Sequence, residues 1–62
     1  MTHADEKASL QRAFDEELSK LFCVFVINLE TQAEAEARKE YERGRMFALR
    51  ALKIANEIAD KS

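Results

Sequence analysis

Apolar residues recur at intervals of three and four along the first half of the chain. The stripe consists of Leu10, Phe14, Leu18, Leu21, Phe25 and Leu29. This spacing places the six side chains on one side of an α-helix. Thr2 and Asp5 have the form of a capping box, which is typical of a helix start. The pattern predicts a first helix over about residues 3–28.

Residues 21–29, with the sequence LFCVFVINL, form the most apolar stretch of the chain. The run FCVFVI favours a strand by intrinsic preference, and periodicity does not separate a strand from a helix in so short a run. Continuing the helix costs on the order of a few tenths of a kcal/mol per β-branched residue. The chain also offers no second strand for pairing. Helix is therefore favoured, and an intermolecular β-ribbon is the alternative.

A second helix is predicted over about residues 32–60. Asn28 suits the left-handed conformation that ends a helix, and Thr31 with Glu34 has the form of a second capping box. We therefore expect the turn at about residues 28–31. The inner stripe of the second helix is predicted to contain Ala33, Ala37, Tyr41, Gly44, Ala48, Ala51 or Leu52, Ala55 and Ile58.

Two helices of nearly equal length joined by a short loop become antiparallel neighbours. Folding the chain at this turn brings Phe25 to the level of Ala33 and Ala37. It brings Phe14 to the level of Gly44, so that large residues face small ones, as dense packing requires. The sequence predicts an all-α protein in which residues 1–62 form a single two-helix antiparallel hairpin.

A hairpin alone leaves several large apolar side chains uncovered, because they lie outside both inner stripes. One group is near the turn and the other is toward the free ends. A two-fold antiparallel dimer would bury both groups at once in a four-helix bundle. The predicted oligomer interface consists of Phe22, Val24, Val26, Ile27, Phe47, Leu49 and Ile54.

The length of the chain also favours a partner. With 62 residues, burial of apolar area barely offsets conformational entropy. Cys23 is the only cysteine, so no intrachain disulfide forms, and a single histidine, His3, leaves too few ligands for a Cys/His zinc site. One glycine and no proline argue against a turn-rich β fold. Regular helix packing and a second subunit remain.

No group of residues has the pattern of a catalytic site. Asp15, Glu16 and Glu17 are consecutive, so they splay around the helix instead of converging. His3 has no nucleophile or carboxylate constellation around it, and Cys23 is interpreted as a small buried apolar residue. There is no glycine-rich phosphate loop. The sequence therefore indicates no enzyme, no cofactor and no metal site.

One charged surface of the second helix has a distinct pattern. Its members are Lys39, Arg43, Arg50 and Lys53, with Met46 among them. At about 100° per residue, the four cations fall within about 80° of one another, opposite the inner stripe. We call these five residues the basic stripe. An ordinary solvated face is the simplest interpretation. The alternatives are a docking face for an acidic protein and a face that binds nucleic acid.

The composition bears on the choice of partner. The formal net charge of −2 argues against a protein that coats nucleic acid by bulk charge. The leading hypothesis is a small helical module for protein interaction or oligomerisation, acting as a regulatory or adaptor homodimer. The alternative is a regulator that binds RNA or DNA through the basic stripe.

Location follows from the start of the chain and from its longest apolar run. The start, MTHADEK, is polar and lacks the pattern of a secretory signal. The run at residues 21–29 is far shorter than the roughly 20 residues that cross a bilayer. A lone cysteine fits a reducing compartment. We expect a cytoplasmic protein with no membrane partner.

Overall fold

Two helices that pack against each other make up the chain. The computed structural model describes residues 3–61, with His3 described by its backbone alone. Helix α1 spans His3–Thr31, helix α2 spans Glu34–Lys61, and residues 3–61 contain no strand. The predicted helical hairpin is confirmed, and residues 21–27 are helical instead of forming the alternative β-ribbon. The predicted capping box of Thr2 with Asp5 involves a residue outside this range.

The turn lies at Gln32 and Ala33, just beyond the predicted range of 28–31. Thr31 is the last residue of α1, and its hydroxyl donates to the Ile27 carbonyl at 3.3 Å. The sequence predicts that this hydroxyl caps α2. In the structure it is bonded within α1 instead. The carbonyl of Ala33 instead accepts the amide of Glu36 at 3.1 Å, which begins α2.

Asn28 does not end α1, which corrects the predicted boundary. The amide of Gln32 donates to the Asn28 carbonyl at 2.7 Å, so the helical hydrogen bonding continues past Asn28. No non-glycine residue in the described chain has a positive φ. The side chain of Asn28 is used across the hairpin, where Nδ2 donates to Oε2 of Glu40 at 2.9 Å. A hydrogen bond to a carboxylate is stronger than one between neutral groups. The bond to Glu40 therefore favours an Asn28 that stays within α1 over one that ends it.

The later turn shifts the register of the hairpin by about one and a half helical turns. Phe25 packs against Tyr41, with ring centroids 5.0 Å apart and planes tilted by 35°. The earlier turn would have placed Phe25 opposite Ala33 and Ala37 instead. Tilted ring pairs at this distance are a favourable aromatic geometry.

Gly44 leaves room for a leucine of the opposite helix. A Cβ atom added to Gly44 would lie 2.6 Å from Cδ2 of Leu21 and 3.4 Å from its Cδ1. The sequence predicted a large residue opposite Gly44, and the structure places Leu21 there instead of Phe14. Glycine within a helix costs about 1 kcal/mol relative to alanine, and here its missing side chain is used for packing.

The helix pair encloses little of its apolar surface. The buried residues of the described chain are Ala37 and Ala59. Leu29 and Ile58, which we had assigned to the inner stripes, are 43% and 61% exposed. A single neighbouring helix covers only a narrow arc, and these two side chains lie outside it. Ala33 and Ala51 are exposed as well.

The molecule is long and thin. Its extents are 44 × 15 × 8 Å and its radius of gyration is 14.4 Å. A compact domain of 62 residues has a radius of gyration of about 10.5 Å. The hairpin is therefore a single layer of two helices with two broad faces.

Replacing Gly44 by alanine tests the contact with Leu21. Alanine gains about 1 kcal/mol of helix propensity over glycine, but its methyl group must displace Cδ2 of Leu21. The free energy of unfolding is measured by urea denaturation followed by circular dichroism. We expect Gly44→Ala to raise it by less than the amount by which Lys53→Ala exceeds Lys53→Gly. Lys53 is exposed, so the second pair reports helix propensity alone. An equal gain at both positions would show that Leu21 does not contact position 44.

Candidate binding surfaces

The seven residues of the predicted oligomer interface are all exposed in the hairpin. Their exposed fractions run from 42% for Val26 and Leu49 to 57% for Phe22 and Ile27. The hairpin therefore leaves roughly half of the surface of each side chain uncovered. Each remains available to a partner.

These seven residues divide between the two broad faces of the layer. At about 100° per residue, and with Leu21 and Phe25 directed at α2, Val24 and Ile27 lie on one side of α1 while Phe22 and Val26 lie on the other. Leu49 of α2 lies on the side of Phe22 by the same geometry. We call the side of Val24 the groove face and the side of Phe22 the back face.

An open groove between the helices fixes which sides of α1 and α2 belong together. It has a volume of about 210 Å³. Its lining consists of Leu10, Ala13, Phe14, Glu17, Ala48, Ala51, Leu52 and Ala55. Phe47 and Ile54 follow the spacing of Ala51 on α2 and therefore lie on this groove face. The bond between Asn28 and Glu40 lies on the same face.

The groove is apolar apart from one carboxylate. Glu17 is the charged residue in its lining, and it is exposed. Ala13 and Ala51 keep the groove shallow at its sides because their side chains are short. A surface of this form accepts the apolar side chains of another helix.

The basic stripe is exposed along the outer edge of α2. All five of its residues are exposed, with Met46 at 57%. Within residues 3–61, the ion pairs join Lys7 to Asp60 at 2.6 Å and Arg38 to Glu42 at 3.7 Å. The four cations of the stripe therefore have no carboxylate partner in the described hairpin.

Cys23 is exposed, which corrects its interpretation as a buried residue. At about 100° per residue it lies nearly opposite the side of α1 that faces α2. The apolar run at residues 21–29 surrounds the helix, and one partner helix covers only part of that circumference. Cys23 belongs to the uncovered part.

The three consecutive carboxylates of α1 lie on its surface. Asp15, Glu16 and Glu17 are exposed, and Asp15 Oδ1 accepts from Gln11 Nε2 at 3.2 Å. Residues 3–61 contain no group of three or more His, Cys, Asp or Glu side chains arranged to hold a metal ion. Neither described helix has the length and apolar character needed to cross a membrane.

Sequence reasoning missed one buried polar atom. Oδ1 of Asn56 is buried and has no hydrogen-bond partner among the described residues. An unsatisfied buried acceptor costs about 1–3 kcal/mol. The inner stripe predicted from the sequence does not contain Asn56, so the burial of this atom was not expected.

No family model, curated protein or solved structure matches this chain significantly. Function is therefore inferred from the surfaces of the hairpin. Those surfaces are the groove face, the back face and the basic stripe.

The exposure of Cys23 predicts its reactivity. We expect the thiol to react with Ellman's reagent in the native protein nearly as fast as in urea, because its side chain is exposed. The matched control is Cys23→Ser combined with Ala37→Cys, since Ala37 is fully buried. That thiol should react slowly until urea is added. Slow native labelling of Cys23 would place it within a contact.

Proposed function

We propose that this chain is a small helical module for oligomerisation and protein interaction, and that it acts as a homodimer. Its accessible surface is 4967 Å². A folded monomer of 7.1 kDa exposes about 4,100 Å². The excess of about 900 Å² is close to the 800 Å² that each partner buries in an interface of standard size. This excess area is the observation that carries the proposal.

The chemical character of the exposed surface supports the same conclusion. The fully buried side chains of the described hairpin are alanines, whereas several large apolar side chains of both helices are 42–61% exposed. Burial of one large aliphatic or aromatic side chain contributes roughly 1.5–3 kcal/mol. A second copy that covers such residues therefore supplies stabilisation that the single hairpin lacks.

The basic stripe provides the surface for a second protein. Its four cations are unpaired in the described hairpin, and Arg43 and Arg50 present guanidinium groups that bind carboxylates in a bidentate manner. Met46 adds an adaptable apolar contact between them. A dimer carries this stripe twice, which suits an adaptor or regulator that docks on an acidic protein.

Nucleic acid is the competing partner, because unpaired cations also bind phosphates. The stripe contains no aromatic side chain on which a base could stack. The formal net charge of −2 also disfavours general attraction to a polyanion. These two features favour an acidic protein over nucleic acid as the partner of the basic stripe.

A charge at Ile27 tests the homodimer. We expect light scattering to give a dimer for the parent protein and a smaller, less stable species for Ile27→Glu, because an unpaired carboxylate is costly in an apolar contact. The dissociation constant should rise about tenfold or more. Met46→Glu is the matched control, since it places the same charge on the outer edge of α2 and should leave the dimer intact. A monomeric parent protein would refute the homodimer.

The basic stripe is tested with Arg43→Gln combined with Arg50→Gln. We expect the parent to bind a polyglutamate peptide in a salt-dependent manner and the double variant to bind it more weakly, measured by fluorescence anisotropy. Arg38→Gln with Arg45→Gln is the control, because it makes the same change outside the stripe.

The same proteins are then titrated with a structured RNA and with duplex DNA. We expect no binding tighter than the millimolar range at physiological ionic strength. The opposite result is submicromolar binding whose log–log slope against salt concentration falls by about two units in the variant at positions 43 and 50. That result would make nucleic acid, and not an acidic protein, the partner of the basic stripe.

A further inference from the structure

The groove face of α1 carries a second heptad pattern, separate from the stripe that faces α2. Its positions are Leu10, Ala13, Glu17, Lys20, Val24 and Ile27, spaced three, four, three, four and three residues apart. This spacing is that of the a and d positions of a coiled coil. Three of the six residues line the groove, and the three beyond it are Lys20, Val24 and Ile27.

The residues of this second pattern complement one another when two copies of α1 lie antiparallel. If two copies of α1 lie antiparallel about an axis between residues 18 and 19, Leu10 faces the partner subunit's Ile27. Ala13 then faces the partner subunit's Val24, which pairs a small residue with a larger one. Glu17 faces the partner subunit's Lys20, which pairs opposite charges. One axis satisfies all three pairings.

We propose that two copies of this chain meet through their groove faces, with α1 antiparallel to α1 about this axis. The inference rests on the proposed homodimer and identifies the surface that forms it. A second copy covers Glu17 in its apolar groove, and a covered carboxylate needs a partner. Lys20 of the partner subunit provides that partner, and the pair occurs twice in the dimer.

The geometry of α2 agrees with the same axis. Gly44 lies opposite Leu21, so Phe47, one turn farther along α2, lies near the level of residue 18. Phe47 is 54% exposed on the groove face. The two Phe47 side chains therefore meet close to the two-fold axis. About the same axis, Phe22 and Val26 of the back face would face the partner subunit's Asp15 and the partner subunit's Gln11.

The charge pair is tested by mixing two variants. Glu17→Lys and Lys20→Glu each place like charges opposite one another in the homodimer, so each variant should dimerise more weakly than the parent. Both positions are exposed in the hairpin, and circular dichroism should show unchanged helix content. In an equimolar mixture, native mass spectrometry should show the heterodimer well above the statistical half. Mixing leaves intrachain pairs unchanged, so only a contact between chains produces this result.

Disulfide trapping tests which face is used. In a Cys23→Ser background, Phe47→Cys should form a covalent dimer on mild oxidation, because the two thiols meet near the axis. Leu49→Cys is the matched control on the back face and should remain monomeric on a non-reducing gel.

The outcomes separate this inference from the homodimer itself. Efficient trapping of Leu49→Cys but not Phe47→Cys, in a protein that scatters light as a dimer, would overturn the groove-face contact and keep the homodimer. A statistical mixture of the charge variants would likewise overturn the axis. A parent that is monomeric would overturn both proposals.

Discussion

A layer of two helices has one internal contact line, and the rest of this molecule depends on that constraint. Each helix presents only a narrow arc to its neighbour, so the side chains that become fully buried are alanines. Several larger apolar side chains, among them Ile27 and Phe47, are left on the two broad faces. Burial of apolar surface is the main force that stabilises a fold, and in this hairpin much of that surface stays uncovered within one chain.

The periodicity of the sequence was sufficient to predict both helices, their pairing and the packing role of Gly44. The position of the turn was not predictable from it, because Asn28 has two uses that the sequence does not distinguish. It can end a helix through its backbone, or it can remain in the helix and bind a side chain across the hairpin. The bond with Glu40 selects the second use. That choice changes which residues of α2 face Phe25 and Leu21.

The candidate surfaces were predictable as residues but not as faces. Helical angles identify side chains outside the inner stripe, and all seven of those assigned to the interface are exposed. Their division into a groove face and a back face requires the actual register of the two helices. The same limit applies to Cys23, since an apolar neighbourhood in sequence does not indicate how much of the helix circumference is covered.

The closing contact of the hairpin has a mechanical consequence. Lys7 and Asp60 join the helices at the end opposite the turn, 2.6 Å apart. A force that pulls these ends apart loads one layer of contacts at a time, as in opening a zipper, and never shears the whole 44 Å length at once. The ion pair lies near the end that is loaded first, and both of its side chains are partly exposed, where such pairs contribute at most about 1 kcal/mol. The hairpin is thus weak along this pulling direction, and tension on its ends would peel it open from the Lys7–Asp60 pair toward Gln32.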